Sequence, residues 1–155
     1  MSGPETYELF AIRYGSVAGR LRRDNFIIAP EHPTDPHDGP MPLDYFVWAI
    51  VNENRTIVVD TGFEQTEGTK RGRTITRLPR EGLEIIGINA DKVEDVIITH
   101  LHYDHAGTLD DFPTALFHLQ ESEMTYATGK HMCHEPFGHA YAADHVCTMV
   151  RRVFD

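Results

Sequence analysis

Residues 93–107 read VEDVIITHLHYDHAG, a short apolar run followed directly by a cluster of histidines. The run predicts a buried strand, because strands covered on both faces are continuously apolar. Behind it, His100, His102, Asp104 and His105 place four metal-ligand side chains within six positions. In a locally extended backbone, His100, His102 and Asp104 point to one side, and His105 swings in where the chain turns. The stretch therefore predicts a metal site.

The location and chemistry of the cluster fit a metal centre better than an accidental polar turn. Side chains that follow a buried strand lie where α/β sheets usually place their sites. Imidazole with carboxylate suits zinc, and also iron or manganese. Such a loop offers two imidazoles to one metal, and a carboxylate with an imidazole to a second.

The rest of the chain predicts strands that alternate with helices. Strands are expected over residues 7–13, 21–28, 45–51, 56–59, 93–99 and 115–119, with 45–51 and 56–59 forming a hairpin. Helices are expected over residues 74–86, 120–128 and 140–154, with Pro79 in a first turn and Asp144 as a cap. Residues 64–72 and the proline-rich residues 30–42 are expected to be loops. The class is α/β, with strands of mixed direction because of the hairpin.

Composition narrows the function classes. The 155 residues allow one domain, and 14 basic against 24 acidic residues give a net charge of −10. That balance argues against nucleic-acid binding and against docking on an anionic membrane. No apolar run approaches the roughly 18 residues that a membrane span needs. Two cysteines and no secretory signal predict a cytoplasmic protein.

Two motifs carry a resemblance to a known family. The string His-x-His-x-Asp-His at residues 100–105 resembles the signature of the metallo-β-lactamase superfamily. The sequence VVDTG at residues 58–62 is similar to the earlier strand-end motif of that superfamily. More locally, residues 99–107, 117–121 and 127–129 resemble the N-acyl homoserine lactonase branch, and the match runs from about residue 7 to the end.

The resemblance implies the N-terminal half of a metallo-β-lactamase-like αββα sandwich, an α/β fold with a mixed sheet, flanking helices and two metals at its edge. It implies that His100 and His102 bind the first metal and that Asp104 and His105 bind the second. Asp104 would also orient metal-bound water. Asp60 would lie behind the ligands and orient their loop; the alternative role for Asp60 is simply to cap a strand end.

The family pattern needs three ligands that this sequence does not supply. These are a third histidine for the first metal, a bridging aspartate and a last histidine for the second metal. Later histidines follow the signature too closely; they are His131, His134, His139 and His145. Residues 1–155 are therefore expected to form a single incomplete domain. Its exposed sheet face is expected to allow self-association.

The implied reaction is hydrolysis of a small-molecule lactone or ester. A hydroxide held between two zinc ions, or iron or manganese, would open the lactone ring of N-acyl homoserine lactones, a quorum-quenching activity. One alternative is another ester or thioester hydrolase of the same fold. The other is a non-catalytic half-domain that binds a metal or a protein partner. The 155-residue piece alone is expected to be inactive.

Three further features of the sequence are interpreted as structural and not as functional sites. Cys133, His134 and Cys147 do not have the paired spacing of structural zinc sites, so Cys147 is expected to be a buried thiol on an apolar helix face. The basic residues between 70 and 80 are expected to form a solvated face. The aromatic residues at 45, 46 and 48 are expected to lie in the core.

Overall fold

The computed structural model describes residues 5–25 and 39–154. Six strands form one sheet in the order β4-β1-β2-β3-β5-β6. The strands are β1 (Glu8–Val17), β2 (Leu43–Val51), β3 (Thr56–Val59), β4 (Thr74–Ile75), β5 (Asp95–Ile97) and β6 (Leu116–His118). The pairs β4-β1, β1-β2 and β2-β3 are antiparallel, whereas β3-β5 and β5-β6 are parallel. The predicted α/β class with a mixed sheet is confirmed, as is the β2-β3 hairpin.

Short helices connect the strands. They are α1 (Gln65–Lys70), α2 (Pro79–Ile85), α3 (Glu121–Ala127), α4 (Glu135–Gly138) and α5 (Ala143–Arg152), together with 3₁₀ turns over Arg22–Asn25, Ala90–Lys92, Leu109–Asp111 and Lys130–Cys133. Pro79 begins α2, as predicted, because its missing N–H is not needed in a first turn. α2 lies so close to β1 that a side chain at Gly82 would collide with Ile12.

Some predicted elements are wrong. The predicted loop over residues 64–72 contains α1, because the Glu64 side chain caps its first turn by accepting a hydrogen bond from the Glu67 N–H at 3.0 Å. Thr74–Ile75 is a strand paired with β1 rather than the start of a helix. α5 begins after Ala142, so Asp144 lies within the first turn and is not the cap.

The strand predicted over residues 21–28 is also wrong in its described part. Leu21 makes an isolated bridge with Pro40, and Arg22–Asn25 is a 3₁₀ turn. Residues 26–38, which hold the remainder of that prediction and most of the proline-rich loop, lie outside the described residues.

The sheet has one buried face and one open face. Tyr45 and Val47 point into the core, whereas their neighbours Phe46 and Trp48 are 38% and 39% exposed. On β1, Leu9 lies on the same open face and is 65% exposed. Successive side chains of a strand point to opposite faces. The prediction that residues 46 and 48 lie in the core is therefore wrong, and a row of apolar side chains is uncovered among the described residues.

No helix in the described part of the chain is both long enough and apolar enough to cross a membrane.

Candidate metal centre

The parallel pairing of β3 with β5 brings the two predicted motifs together. Val59 at the end of β3 lies opposite Ile97 at the end of β5. The next residue, Asp60, donates its N–H to the Ile97 carbonyl at 2.8 Å. The carboxyl ends of parallel strands meet at one edge of a sheet. Asp60 and the loop that begins at His100 therefore share that edge, although about forty residues separate them in sequence.

Asp60 is the organising side chain of this edge. It is only 4% exposed, and its carboxylate accepts hydrogen bonds from the Thr99 N–H at 2.8 Å and the Thr99 hydroxyl at 2.9 Å. Nδ1 of His105 lies 2.7 Å from the other carboxylate oxygen. The backbone of Asp60 has a φ of 62°, in the left-handed region that disfavours most side chains. This unfavourable backbone conformation occurs at the residue whose carboxylate lies behind the histidines.

The three imidazoles of the predicted set lie against one another. The ring centroids of His100 and His102 are 4.4 Å apart, and those of His100 and His105 are 3.9 Å apart. Asp104 adjoins them, with a carboxylate oxygen 3.7 Å from Nε2 of His105. The structure therefore gathers all four predicted ligand residues in one loop.

Hydrogen bonds behind the rings set which ring nitrogen faces outward. An ionised carboxylate only accepts, so Nδ1 of His105 carries a hydrogen toward Asp60 and Nε2 keeps its lone pair. The Thr99 hydroxyl gives its hydrogen to Asp60, which leaves its oxygen to accept from Nδ1 of His100 at 3.1 Å. In their neutral forms, both imidazoles thus present the lone pair of Nε2 to a cation.

The pKa shifts of the histidines differ with their surroundings. Burial lowers the pKa of His100, and the charge of His105 lowers it further. Burial likewise lowers the pKa of His102, with a smaller effect from His100. For His105, burial lowers the pKa, but the hydrogen bond and charge of Asp60 outweigh it, so the net shift is upward. The shifts at His100 and His102 favour the neutral imidazole, the form that binds metals.

The side chains of His100, His102, Asp104 and His105 carry the kinds of donor atom that bind zinc, but they are too few to complete two sites. Within residues 5–25 and 39–154, no group of three or more His, Cys, Asp or Glu side chains has a geometry that could hold a metal ion. Zinc sites use three or four protein ligands. The four donor-type side chains of this loop are fewer than two such sites would need.

An aromatic floor supports the loop from the core side. The fully buried Tyr14 donates its hydroxyl to the Asp104 carbonyl at 2.9 Å. The hydroxyls of Tyr45 and Tyr103 are 3.0 Å apart, and Arg73 donates to Tyr103 at 3.2 Å. Burial raises the pKa values of Tyr14 and Tyr45 well above the usual range, so both phenols remain neutral. Sequence reasoning missed this floor.

Sequence reasoning also missed Glu123 and Tyr141, which contact the loop through the Leu101 N–H and the His102 ring. Glu123 lies in the first turn of α3, the helix that follows the parallel strand β6. A helix that follows such a strand begins at the same sheet edge as the loop that starts at His100. An acidic residue in that first turn was the available signal.

The cysteines and the later histidine His145 lie outside the histidine cluster. Cys133 and Cys147 are both exposed free thiols, so the prediction of a buried Cys147 is wrong. Cys147 occupies the solvent side of α5, and Val146 and Met149 occupy its buried side. His145 is buried against Gly107, with Nε2 3.4 Å from Glu64.

A family model described as the metallo-beta-lactamase superfamily matches residues 40–142. This range contains Asp60 and the whole loop from His100 to His105. No curated protein matches the chain significantly.

Solved structures of lactonases share the fold. A quorum-quenching N-acyl homoserine lactone lactonase has a TM-score of 0.67 at 20% identity, covering 94% of this chain and 55% of that chain. An N-acyl homoserine lactone hydrolase with the product N-hexanoyl-L-homoserine bound at its catalytic metal center has a TM-score of 0.63 at 17% identity, covering 92% and 57%. AidC, a dizinc quorum-quenching lactonase, has a TM-score of 0.62 at 15% identity, covering 95% and 55%. The chain thus spans a little over half the length of these structures.

Proposed function

This chain belongs to the metallo-β-lactamase superfamily, and on that premise we propose that it is part of a metal-dependent hydrolase that opens the lactone ring of N-acyl homoserine lactones. The observation that carries the proposal is the convergence of His100, His102 and His105 at the sheet edge, with Asp60 behind them. The choice of a lactone is supported by the solved structures of the same fold, whose described ligands are acyl homoserine products. With two free thiols, a reducing cytoplasm is the proposed location.

Each donor has a proposed place. His100 and His102 would hold one divalent cation, and Asp104 and His105 a second, with zinc favoured over iron or manganese. When bound, such cations polarise a carbonyl and lower the pKa of water, which makes a nucleophile near neutral pH. In the neutral imidazole of His105, Asp60 accepts the hydrogen on Nδ1, which leaves the lone pair on Nε2 for the cation.

Asp104 is the proposed residue that orients the attacking water. Its backbone carbonyl is held from below by the Tyr14 hydroxyl at 2.9 Å. Its side chain remains partly accessible beside Nε2 of His105. A carboxylate fixed at its backbone and open at its tip can accept a hydrogen bond from water while it contributes to the ligand set.

The missing donors define the second part of the proposal. We propose that residues 1–155 form one incomplete domain, whose further ligands come from a segment that also covers the open face around Leu9 and Trp48. The support is the length of the solved structures, of which this chain covers 55% to 57% in the three compared.

The test is metal analysis and hydrolysis on the same preparation of the full-length protein. The expected result is two divalent cations per chain and ring opening of an N-acyl homoserine lactone, lost on chelation and restored by zinc. A panel of simple esters and thioesters tests the substrate class: faster turnover of these would replace the lactone with the alternative hydrolase. Absence of bound metal and of hydrolysis would favour a non-catalytic binding module.

A further inference from the structure

Glu123 of α3 bonds to the backbone between two of the proposed ligands. One carboxylate oxygen, Oε1, accepts a hydrogen bond from the N–H of Leu101 at 2.8 Å. Leu101 lies between His100 and His102 in sequence and is fully buried. A buried N–H needs a partner, since leaving it unpaired is costly. Glu123 therefore fixes the stretch of backbone from which both imidazoles project.

The same oxygen holds Tyr141 against His102. The Tyr141 hydroxyl donates to Oε1 of Glu123 at 3.0 Å. The Tyr141 ring meets the His102 imidazole edge-on, with centroids 4.8 Å apart and planes at 89°. His102 and Tyr141 also form an isolated antiparallel bridge. One carboxylate thus restrains His102 twice, through the backbone before it and through the ring beside it.

The segment that carries Tyr141 is itself anchored. The Tyr103 N–H donates to the Ala140 carbonyl at 2.9 Å. Arg71 donates to the carbonyls of His139 at 2.8 Å and Tyr141 at 3.3 Å. With these contacts in place, Tyr141 offers a fixed surface to His102.

We propose that Glu123, together with Tyr141, is a positioning residue that holds His100 and His102 for a metal ion; the inference rests on the proposed function. Metal–nitrogen bonds are short, so both rings must stay within a small volume. Loss of the carboxylate would free the Leu101 N–H and release Tyr141 at once. Partners behind metal ligands contribute about 10- to 100-fold to metal affinity.

The experiment compares four variants of the full-length protein. E123A removes both hydrogen bonds, E123Q keeps an accepting oxygen without the charge, and Y141F keeps the ring against His102 without the hydroxyl. The control is E121A. Glu121 is exposed in the first turn of the same helix, so E121A and E123A lose the same favourable interaction of a carboxylate with the helix N-terminus.

Two readouts separate positioning from general damage. Zinc affinity is measured by competition with a chromophoric chelator, and hydrogen exchange of the Leu101 amide is measured in the metal-free protein. We expect E123A to bind zinc about 10- to 100-fold more weakly than wild type, with faster Leu101 exchange. E123Q and Y141F should fall between E123A and wild type, and E121A should match wild type.

The outcomes distinguish this inference from the function on which it rests. If wild type binds zinc tightly and E123A matches it, the positioning role of Glu123 is overturned while the proposed function stands. Equal losses in E121A and E123A would likewise overturn it, because the cause would then be the helix. If wild type binds no zinc, the proposed function fails and the inference fails with it.

Discussion

The carboxylate of Asp60 accepts a hydrogen bond from Nδ1 of His105 at 2.7 Å, across two segments that are 45 residues apart. The contact exists because β3 and β5 are parallel neighbours that end at the same level. It also depends on the left-handed backbone of Asp60, with a φ of 62°. Asp60 thus combines an unfavourable backbone conformation with three hydrogen-bond donors that face its side chain.

The first prediction concerns this carboxylate. In the full-length protein, Asp60→Ala should weaken zinc affinity by about 10- to 100-fold, because His105 and Thr99 lose their acceptor. A competition titration measures the effect. Asp60→Gly is the matched variant, since glycine adopts the left-handed backbone conformation without strain but also lacks the carboxylate. Loss in both variants assigns the effect to the carboxylate; unchanged affinity in both would reduce Asp60 to a strand-end cap.

The second prediction concerns His102. His102→Ala in the full-length protein should abolish nearly all hydrolysis while the melting temperature stays close to that of wild type, because the ring lies in a loop and not in the core. The control is His118→Ala. His118 lies on β6, outside the histidine cluster, and its Nε2 is 2.8 Å from a carboxylate oxygen of Asp95 on β5. Activity of His102→Ala within a few-fold of wild type would contradict metal catalysis by this loop.

The strands and the clustering of the loop histidines could be predicted because their signals are local. Four of the predicted strands appear as β1, β2, β3 and β6, and the strand predicted over residues 93–99 appears as the shorter β5. The polar helix α1 could not be found in this way. Its stabilising contacts are the cap by Glu64 and the ion pair between Glu67 and Arg71, neither of which leaves a hydrophobic pattern.

Residues that support the site from other segments of the chain were harder to predict. Glu123 and Tyr141 meet the loop only because α3 and the segment after α4 fold back onto it. The position of Glu123 in the first turn of α3 was a signal, whereas nothing in the spacing of Tyr141 marks its contact. Phe46 and Trp48 show the opposite error, since the apolar run that contains them gives the strand correctly without indicating which face is covered.

The third prediction concerns acid stability through Glu67, whose side chain is 7% exposed. Burial raises the pKa of Glu67, but the hydrogen bond and charge of Arg71 outweigh it, and the net shift is below the usual 4.5. A carboxyl with a lowered pKa in the folded state contributes stability above its unfolded pKa and loses it as the pH falls through the folded value. Wild type should therefore lose stability below about pH 4.5 partly through this group.

Urea unfolding between acidic and neutral pH measures the contribution. Glu67→Gln should be less stable than wild type near pH 7, and the difference should shrink as the pH falls. Glu53→Gln, in the exposed β2-β3 turn, is the control. A Glu67→Gln difference that stays constant with pH would show that the pair contributes through packing instead.

The fourth prediction concerns residues 1–155 as an isolated chain. Each proposed metal has only two protein donors there, so zinc should bind weakly, with the remaining positions taken by water. The open sheet face carries Leu9, Phe46 and Trp48, and large exposed apolar patches associate. We therefore expect weak metal binding together with self-association. Size-exclusion chromatography with light scattering and the metal-to-protein ratio should be measured on one sample.

Trp48→Thr tests whether this face causes the association. Threonine keeps the preference for a strand while it removes most of the apolar surface, and Trp48 lies mid-sheet between Ala11 on β1 and Val59 on β3. The variant should shift the chain toward monomer without changing its zinc affinity, because the ligand loop is untouched. A monodisperse wild-type monomer of 17.6 kDa with two tightly bound metal ions would contradict both the incomplete ligand set and the uncovered face.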